Sequence, residues 1–322
     1  MYINTLVLAV LVPLNTVQAF NLTSTTPPPQ HTPNSSHQTA TTLLTWARSK
    51  LPSTTKRTSC PPVWSTISTA LTAQFLADGQ CTDAARAAIR AAFHDCFNGA
   101  CDGSLILADE CANAENSGLQ QLCSALLNIS IENQVGVADL IQFAAAHAIK
   151  TCPGGPTVPV VVGRRDASEA NSQGVLPHGD ALGGDLVTLF ASKGLTPTDL
   201  TALIGAHTTA KQRITDPTRA EASMDSTPGI WDNRFYTEAS AGSAPFTLAA
   251  DGNLAREPST AGPWATFAAS KAAWDEAFVT AMVKLGLLGV EGVGLVDCTG
   301  ALPGGSGEGE VRRRDVWERL GW

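Results

Sequence analysis

Arg90 and His94 are the first residues whose types and spacing indicate chemistry. They stand four positions apart in a segment with helical periodicity, so both side chains project from one face, one turn apart. A cation beside an imidazole on an apolar helix needs a reason, because burying an arginine without a partner is costly. His94 could transfer protons as a general base and acid, while Arg90 stabilises negative charge that develops nearby.

His207 lies in another segment with helical periodicity, far along the chain from His94. A single histidine on a helix is more often a packed residue than a ligand. Imidazole is nevertheless the commonest metal ligand among side chains, so spacing alone leaves both interpretations open.

A short acidic loop follows His94. Asp95, Asp102 and Ser104 place hard oxygen ligands at short intervals, and Gly99 and Gly103 permit tight turns between them. Such a set of oxygens suits Ca²⁺.

Amphipathic helices are predicted to carry these residues, and the strand patterns are few and short. The helical segments are residues 83–97 after the N-cap Thr82, 137–150 before the breaker Cys152-Pro-Gly-Gly-Pro, a segment from the capping box Thr196-Pro-Thr-Asp199 through His207, and 264–288. Val158–Val162 is the best strand pattern. The fold class is therefore mostly α, without a parallel sheet.

Composition limits the function classes. The chain has 322 residues, 43% of them hydrophobic and 16% charged, with a net charge of −8. This predicts one or two compact domains. The acidic balance argues against a nucleic-acid partner, and past the N-terminal segment no apolar run is long enough for a membrane span.

The N-terminal region has the character of a secreted precursor. Residues 1–19 resemble a signal peptide, and Pro13 opposes the alternative of a buried helix. Residues 20–57 form a Ser/Thr/Pro-rich linker or pro-segment. This segment ends at the dibasic pair Lys56-Arg57, which is either a processing site or accidental. Three Asn-x-Ser/Thr triplets, at Asn21, Asn34 and Asn128, are glycosylation acceptors in a secreted chain.

Eight cysteines follow the linker. An even number behind a signal peptide indicates four disulfides, and the paired repeats of a structural zinc site are missing. Spacing alone does not decide which cysteines are paired.

The segment Arg90-Ala-Ala-Phe-His-Asp95 resembles the distal motif of the secreted plant and fungal haem peroxidases. Ile204-Gly-Ala-His207-Thr208 resembles their proximal motif, and the chain is most similar to the secreted fungal branch, class II. The resemblance implies a monomeric, two-domain helical fold with haem b between distal and proximal domains. It assigns residues 58–298 to this fold, with a distal half of about 58–180, a proximal half of about 181–298, and a tail over 299–322.

The resemblance also implies roles for individual residues. His207 would ligate the haem iron and Phe93 would pack over the haem, with Arg90 and His94 acting on peroxide. Asp251, in Ala-Asp-Gly-Asn-Leu-Ala-Arg, would accept the other ring N–H of His207, although an Asp-Gly turn is the alternative. Asn116, six residues after Glu110, would accept the ring N–H of His94.

Two calcium ions are implied as well. The distal ligands would be Asp95, Asn98, Ala100, Asp102 and Ser104, with Ala100 standing where glycine is usual. The proximal ligands would be Thr208, Asp225, Thr227, Ile230 and Asp232, and a solvated turn is the alternative there.

Some of the eight cysteines stand at positions where the family has cysteines. Cys81 and Cys152 correspond to the disulfide shared by the family, and Cys96 with Cys101 to the calcium-loop bridge of the plant branch. Cys298 resembles a fungal cysteine whose usual partner position is Gly262 here. Cys60–Cys298 and Cys111–Cys123 are the pairs that remain.

The implied activity is reduction of hydrogen peroxide, with one-electron oxidation of small phenols or aromatic amines at the haem edge near Pro177. Manganese-oxidising relatives use three carboxylates where this chain has Asp83, Ala87 and Arg213, and lignin-degrading relatives use a surface tryptophan where it has Ala202. A generic, low-potential enzyme is therefore expected, while the effect of Met224, in place of an aromatic residue, is not derivable. The alternatives are a manganese-oxidising or ligninolytic enzyme with an atypical site, for instance through Trp231, and a catalytically inactive calcium-binding relative.

Overall fold

The structure is a computed structural model that describes residues 59–290 and 294–304. Every described residue belongs to one compact unit. The predictions for residues 1–57 and for the end of the tail lie outside the described residues. No helix in the described ranges is long and apolar enough to cross a membrane.

The described residues are mostly helical, as the sequence predicts. The α-helices are α1 (Val63–Phe75), α2 (Asp83–Asn98), α3 (Ser104–Leu107), α4 (Gln120–Asn133), α5 (Val137–Thr151), α6 (Gly183–Ser192), α7 (Pro197–Ile204), α8 (Arg234–Ala241), α9 (Ala249–Arg256), α10 (Pro258–Ala269) and α11 (Lys271–Leu285). Two antiparallel pairs of two-residue strands join β1 (Leu76–Ala77) to β2 (Gln80–Cys81) and β3 (Val161–Val162) to β4 (Val296–Asp297).

Helix α2 positions the distal residues by packing against α5. Its N-cap is Thr82, whose Oγ1 accepts the Ala85 N–H at 3.3 Å. The face toward the core is built of small side chains, including Ala85, Ala88 and Ala92, which are fully buried. Helix α5 is buried along nearly its whole length, so it is the centre of the distal half.

Helix α7 positions His207. Its capping box is present, since Asp199 N–H donates to Thr196 Oγ1 and Thr196 N–H donates to Asp199 Oδ2. The α-helix ends at Ile204, and residues Gly205–Thr209 continue as a 3₁₀ turn. The prediction of one helix through His207 is thus wrong in its last turn, where glycine interrupts the helix-forming residues.

Two sequence predictions of length were wrong. The segment Trp264–Leu288 is not one helix, because Ser270 adopts an extended conformation between α10 and α11 and its Oγ accepts the Ala273 N–H. An apolar repeat that continues across a capping residue hides such a break. The strand predicted over Val158–Val162 pairs only at Val161 and Val162.

Four disulfides are present in the described residues. They join Cys60–Cys298, Cys81–Cys152, Cys96–Cys101 and Cys111–Cys123. The first spans 238 residues and ties the start of the unit to its last described segment. A disulfide that closes a long loop restricts the unfolded chain more than one that closes a short loop.

Replacing Gly205 by alanine should destabilise the protein. A Cβ there would overlap Tyr236 Oη and Trp274 Nε1, and both rings are fully buried. Overpacking of this kind costs about 1–3 kcal/mol of unfolding free energy, measurable by denaturant titration.

The matched control is Gly184→Ala on α6, where the nearest atom to the added Cβ is Glu257 Oε2 at 3.8 Å. That variant should be as stable as the parent or more so, by up to about 1 kcal/mol. Equal stabilities for the two alanine variants would contradict the packing argument.

Candidate functional site

His94 is held by a hydrogen-bond chain that fixes its tautomer. Its Nδ1 lies 2.6 Å from Asn116 Oδ1, and Asn116 Nδ2 donates to the backbone carbonyl of Glu110 at 2.8 Å. Because the amide nitrogen is already used as a donor, Oδ1 is the acceptor, and the imidazole proton is on Nδ1. Nε2 therefore carries the lone pair.

Arg90 lies directly beside that lone pair. Its Nε donates to His94 Nε2 at 3.1 Å, and its two terminal nitrogens donate to the carbonyls of Ser117 and Glu115 at 2.7 and 2.8 Å. Three bonds from one planar group give the guanidinium a single orientation.

Burial sets the charge of both side chains. Burial and, after it, the charge of Arg90 lower the pKa of His94 to about 3, although the Asn116 hydrogen bond opposes the change. Burial likewise lowers the pKa of Arg90 to about 10, with a contribution from Arg213. At neutral pH the site thus holds a neutral imidazole next to a positive guanidinium.

Glu110 and Asn171 connect this site to the acidic loop. The buried Glu110 carboxylate accepts the Asn171 backbone N–H at 2.8 Å and the Asn98 side-chain amide at 3.3 Å. The Asn171 side chain donates to Ser104 Oγ at 2.8 Å. Sequence analysis missed Asn171, because it lies in an irregular segment without periodicity or motif.

Phe93 lies half-buried on the same helix as His94. Its ring stacks on Phe97 at 4.7 Å and on Phe190 of α6 at 6.0 Å. The ring of His94 meets it edge-on at 6.1 Å. Phe93 therefore supplies an apolar wall beside the imidazole.

His207 is paired with a buried carboxylate. Its Nδ1 lies 3.1 Å from Asp251 Oδ1, and Asp251 is fully buried in the first turn of α9. The positive end of the helix dipole stabilises a carboxylate there. Asp251 Oδ2 has no hydrogen-bond partner among the described residues.

The donor set around His207 fits a haem iron. Nδ1 is committed to Asp251, so a neutral ring presents Nε2 as a ligand, and 30% of the side chain is exposed. Phe235 meets the imidazole edge-on at 5.6 Å and limits its rotation.

The loop after α7 brings hydroxyl and carboxylate oxygens together. Thr208 Oγ1 donates to Asp225 Oδ2 at 2.5 Å, and Thr227 Oγ1 donates to Asp232 Oδ2 at 2.8 Å. Burial raises the pKa of Asp225 to about 6, and the neighbouring Asp232 adds to that shift. The Ile230 N–H donates to the Thr227 carbonyl and closes the turn.

The distal loop has a similar character. Asp95 is fully buried and accepts the N–H groups of Gly103 and Leu105 at 3.2 and 3.3 Å. Burial raises the pKa of Asp95 to about 8. Asn98 Oδ1 is a buried acceptor without a partner in the described ranges, and Ala100 presents its carbonyl to the Asp102 N–H.

Both loops fit calcium better than a transition metal. Among the described residues no three His, Cys, Asp or Glu side chains come together as a metal site. Each loop instead offers two aspartates together with hydroxyl and carbonyl oxygens, a hard donor set.

Of the three positions related to manganese binding, two carry opposite charges, at Asp83 and Arg213, and the third is Ala87. Arg86 and Lys211 lie 2.7 and 3.3 Å from Asp83 Oδ1, and Arg213 lies 4.0 Å from Asp83 Oδ2. Although burial opposes it, the cations led by Lys211 lower the pKa of Asp83. Ala87 adds no oxygen donor.

The remaining candidates differ in exposure. Ala202 and Trp231 are fully buried, and Met224 is buried. Pro177 is half-buried in the irregular segment between β3 and α6. His147 is fully buried between Thr72 and Thr151 and belongs to the core.

A family model and several known proteins are similar to this chain in sequence. A family model described as "Peroxidase" matches residues 63–270. The chain is 33% identical to the "Low-redox potential peroxidase" of Taiwanofungus camphoratus in an alignment 260 positions long, which covers 74% of this chain and 77% of that protein. It is 28% identical to a "Peroxidase" of Coprinopsis cinerea, over 75% of this chain and 76% of that protein. The "Manganese peroxidase 3" of Phlebia radiata is 26% identical, over 81% of this chain and 84% of that protein.

Proposed function

The chain belongs to the peroxidase family, and from that premise we propose that it is a secreted, monomeric enzyme of generic, low-potential type. It reduces hydrogen peroxide at a haem b ligated by His207 and oxidises small phenols or aromatic amines by one-electron steps at the haem edge. The observation that carries the proposal is the fixed tautomer of a neutral His94 beside the Arg90 guanidinium.

His94 would move the proton of peroxide. Its Nε2 lone pair, which Arg90 Nε contacts at 3.1 Å, can instead accept a proton from peroxide and later deliver it to the leaving oxygen. Asn116 keeps Nδ1 as the donor throughout, so the same nitrogen takes up and returns the proton.

Arg90 would stabilise the negative charge of the departing oxygen. The carbonyls of Ser117 and Glu115 hold the guanidinium in advance, so little reorganisation is needed when that charge develops. Haem, when bound, supplies the iron at which the O–O bond is split and which stores the oxidising equivalents.

Asp251 would make His207 a stronger ligand. A carboxylate that accepts the Nδ1 proton raises the electron density on Nε2, and burial of the Asp251 carboxylate keeps water from weakening this effect. Asp251 is therefore a positioning residue that acts through His207.

Calcium would hold both ends of the site. The proximal oxygens include Thr208, the residue after His207, and the distal set includes Asp95, the residue after His94. A bound ion would offset the repulsion between Asp225 and Asp232 and keep the Gly205–Thr209 turn in place.

The substrate class follows from the surface charges and from the tryptophans. Three cations around Asp83 compete with any divalent ion. Ala202 and Trp231 are fully buried, so neither position offers a surface tryptophan to bulky substrates. Small aromatic reductants that reach the haem edge near Pro177 remain, in keeping with the name of the relative from Taiwanofungus camphoratus.

The alternatives fit less well. An inactive calcium-binding relative has no need for the Arg90–His94–Asn116 chain, which is complete here. Manganese oxidation by an atypical site would require the ion to displace Lys211 and Arg213 from Asp83. Secretion rests on the signal-peptide pattern of residues 1–19.

The function is tested with haem-loaded His94→Leu and His207→Ala. The first should retain haem and react with peroxide about 10²–10⁴-fold more slowly in stopped-flow absorbance measurements, since a general base is lost. The second should lose haem on gel filtration. His178→Leu is the matched control, because the His178 side chain is exposed and its hydrogen bond among the described residues goes to Asp180, and it should behave as the parent. A parental peroxide rate in His94→Leu would refute the assignment.

The pH dependence gives an independent check on His94. The neutral form is needed, so the peroxide rate should be constant down to about pH 4 and half-maximal at about pH 3, the pKa of His94. Arg90→Gln removes a charge that lowers this pKa and should move the acid limb to higher pH. A parental midpoint near 6.5, the ordinary histidine value, would contradict the assignment.

Removal of calcium should lower the thermal stability of the parent, by about RT ln(1 + [Ca²⁺]/Kd) in free energy. In Thr208→Val the difference between melting temperatures with chelator and with excess calcium should shrink. Thr209→Val is the matched control, since in the described ranges the Thr209 hydroxyl bonds to the Ala206 carbonyl and to no carboxylate, and it should keep the full difference. Equal parental melting temperatures after verified metal removal would overturn the calcium assignment.

Steady-state assays should show saturable oxidation of a small phenol and no efficient, saturable oxidation of Mn²⁺. The double variant Ala87→Glu with Arg213→Asp supplies two carboxylates next to Asp83 and should introduce Mn²⁺ oxidation. Efficient Mn²⁺ oxidation by the parent, or its turnover of a non-phenolic aromatic ether, would refute the generic substrate class.

A further inference from the structure

Two tryptophans are stacked in the core of the proximal half. The rings of Trp231 and Trp274 lie 4.9 Å apart with an interplanar angle of 9°, and both are fully buried. Tyr236 meets Trp274 edge-on at 5.8 Å. The three rings are all oxidisable, and they form a continuous line of aromatic contacts.

This line begins at the turn that holds His207. Tyr236 Oη donates to the Thr201 carbonyl at 2.8 Å, and Trp274 Nε1 donates to the Ala202 carbonyl at 3.0 Å. Both rings also press against Gly205, two residues before His207. Trp231 is the far end of the line.

The three rings differ in what accepts their proton. Tyr236 and Trp274 donate to backbone carbonyls, which carry no charge and cannot take up a proton. Burial raises the pKa of Tyr236 well above its usual value, so its phenolic proton is held firmly. Trp231 Nε1 instead donates to the carboxylate of Asp275, at 3.2 Å from Oδ1.

Asp275 is suited to stabilise an oxidised indole. Loss of one electron makes the indole positive and its N–H strongly acidic, and a carboxylate oxygen both attracts the charge and can accept the proton. The other oxygen, Oδ2, is bound by Lys271 Nζ at 2.6 Å, which fixes the carboxylate in place. Trp231 is therefore the ring of the three on which oxidation is least costly.

We propose that Trp231, hydrogen-bonded to Asp275, is an internal electron donor that holds one oxidising equivalent of the peroxide reaction when no external reductant is present. The inference rests on the proposed function, which supplies the oxidant. One electron leaves Trp231 along the stacked rings toward the haem, whose oxidising equivalents fall by one. The indole keeps the positive charge while its N–H proton shifts toward Asp275, and a phenol later returns one electron and the proton moves back.

Trp264 provides a matched control on the same side of the molecule. It is buried, and its Nε1 donates to the Tyr236 carbonyl and to Ser240 Oγ, at 3.0 and 2.9 Å, both uncharged. Its ring contacts Phe235 at 5.4 Å, and Phe235 contacts His207. If the shortest path of ring contacts to His207 decided the radical site, Trp264 would carry the radical, because one ring, Phe235, connects it to His207. We expect the charge of the hydrogen-bond acceptor to select Trp231 instead.

The test is electron paramagnetic resonance of the haem-loaded protein, frozen soon after one equivalent of hydrogen peroxide without a reductant. The parent and Trp264→Phe should give a tryptophan radical, recognised by deuterated tryptophan, and Trp231→Phe should not. In Asp275→Asn the signal should fall by about tenfold, because a charge-assisted hydrogen bond about twice as strong as a neutral one is lost. Steady-state phenol oxidation by Trp231→Phe should stay at the parental rate.

Two results would overturn the proposal alone: a parent that reacts with peroxide yet forms no tryptophan radical, and a radical that persists in Trp231→Phe and is lost in Trp264→Phe. An unchanged signal in Asp275→Asn would refute the role of the carboxylate, and this conservative variant answers that question even if Trp231→Phe fails to fold. A parent that does not react with peroxide at all would refute the proposed function together with the inference.

Discussion

The hydrogen bond from His94 Nδ1 to Asn116 Oδ1 decides which nitrogen of the distal imidazole is free. Glu110 supports this bond in two ways. Its carbonyl accepts a hydrogen bond from the Asn116 amide and so orients it, and its carboxylate binds the loop to Asn171. The nearby Cys111–Cys123 disulfide fastens the same irregular segment to α4. The tautomer of a histidine on a regular helix thus depends on the fixed geometry of a loop.

The two histidines share one hydrogen-bond arrangement but differ in the charge of the acceptor. In both, Nδ1 is hydrogen-bonded to an oxygen, so the lone pair of a neutral ring is on Nε2. His94 is tied to a neutral amide, and its burial together with the neighbouring cation keeps its pKa near 3, whereas His207 is tied to the buried carboxylate of Asp251. A ring that stays neutral keeps a lone pair free to accept a proton, and an electron-rich ring suits a metal ligand. The choice of acceptor, amide or carboxylate, separates the two roles.

Sequence patterns predicted the features that depend on residues close together in the chain. The bounds of α2 and α5 follow from the Thr82 cap and from the breaker after Thr151, and the motif residues Arg90 and His94 are adjacent because helical periodicity makes them so. The break at Ser270 was missed since the apolar repeat continues across it. Asn171 was missed for a different reason: its contacts with Glu110 and Ser104 join distant segments and leave no periodic trace. Contacts between distant segments without regular secondary structure cannot be read from the pattern of a single sequence.

The proximal half closes a ring of contacts around the turn Gly205–Thr209. On one side of the turn, the Thr208 hydroxyl is hydrogen-bonded to the carboxylates of Asp225 and Asp232. Asp232 directly follows Trp231, whose indole stacks on Trp274, and Trp274 returns to the turn by packing against Gly205. The turn is therefore held from both sides, by hydrogen bonds to the loop carboxylates and by packing against buried rings. This close packing against the Tyr236 and Trp274 rings requires glycine at position 205, because an added Cβ would overlap both rings.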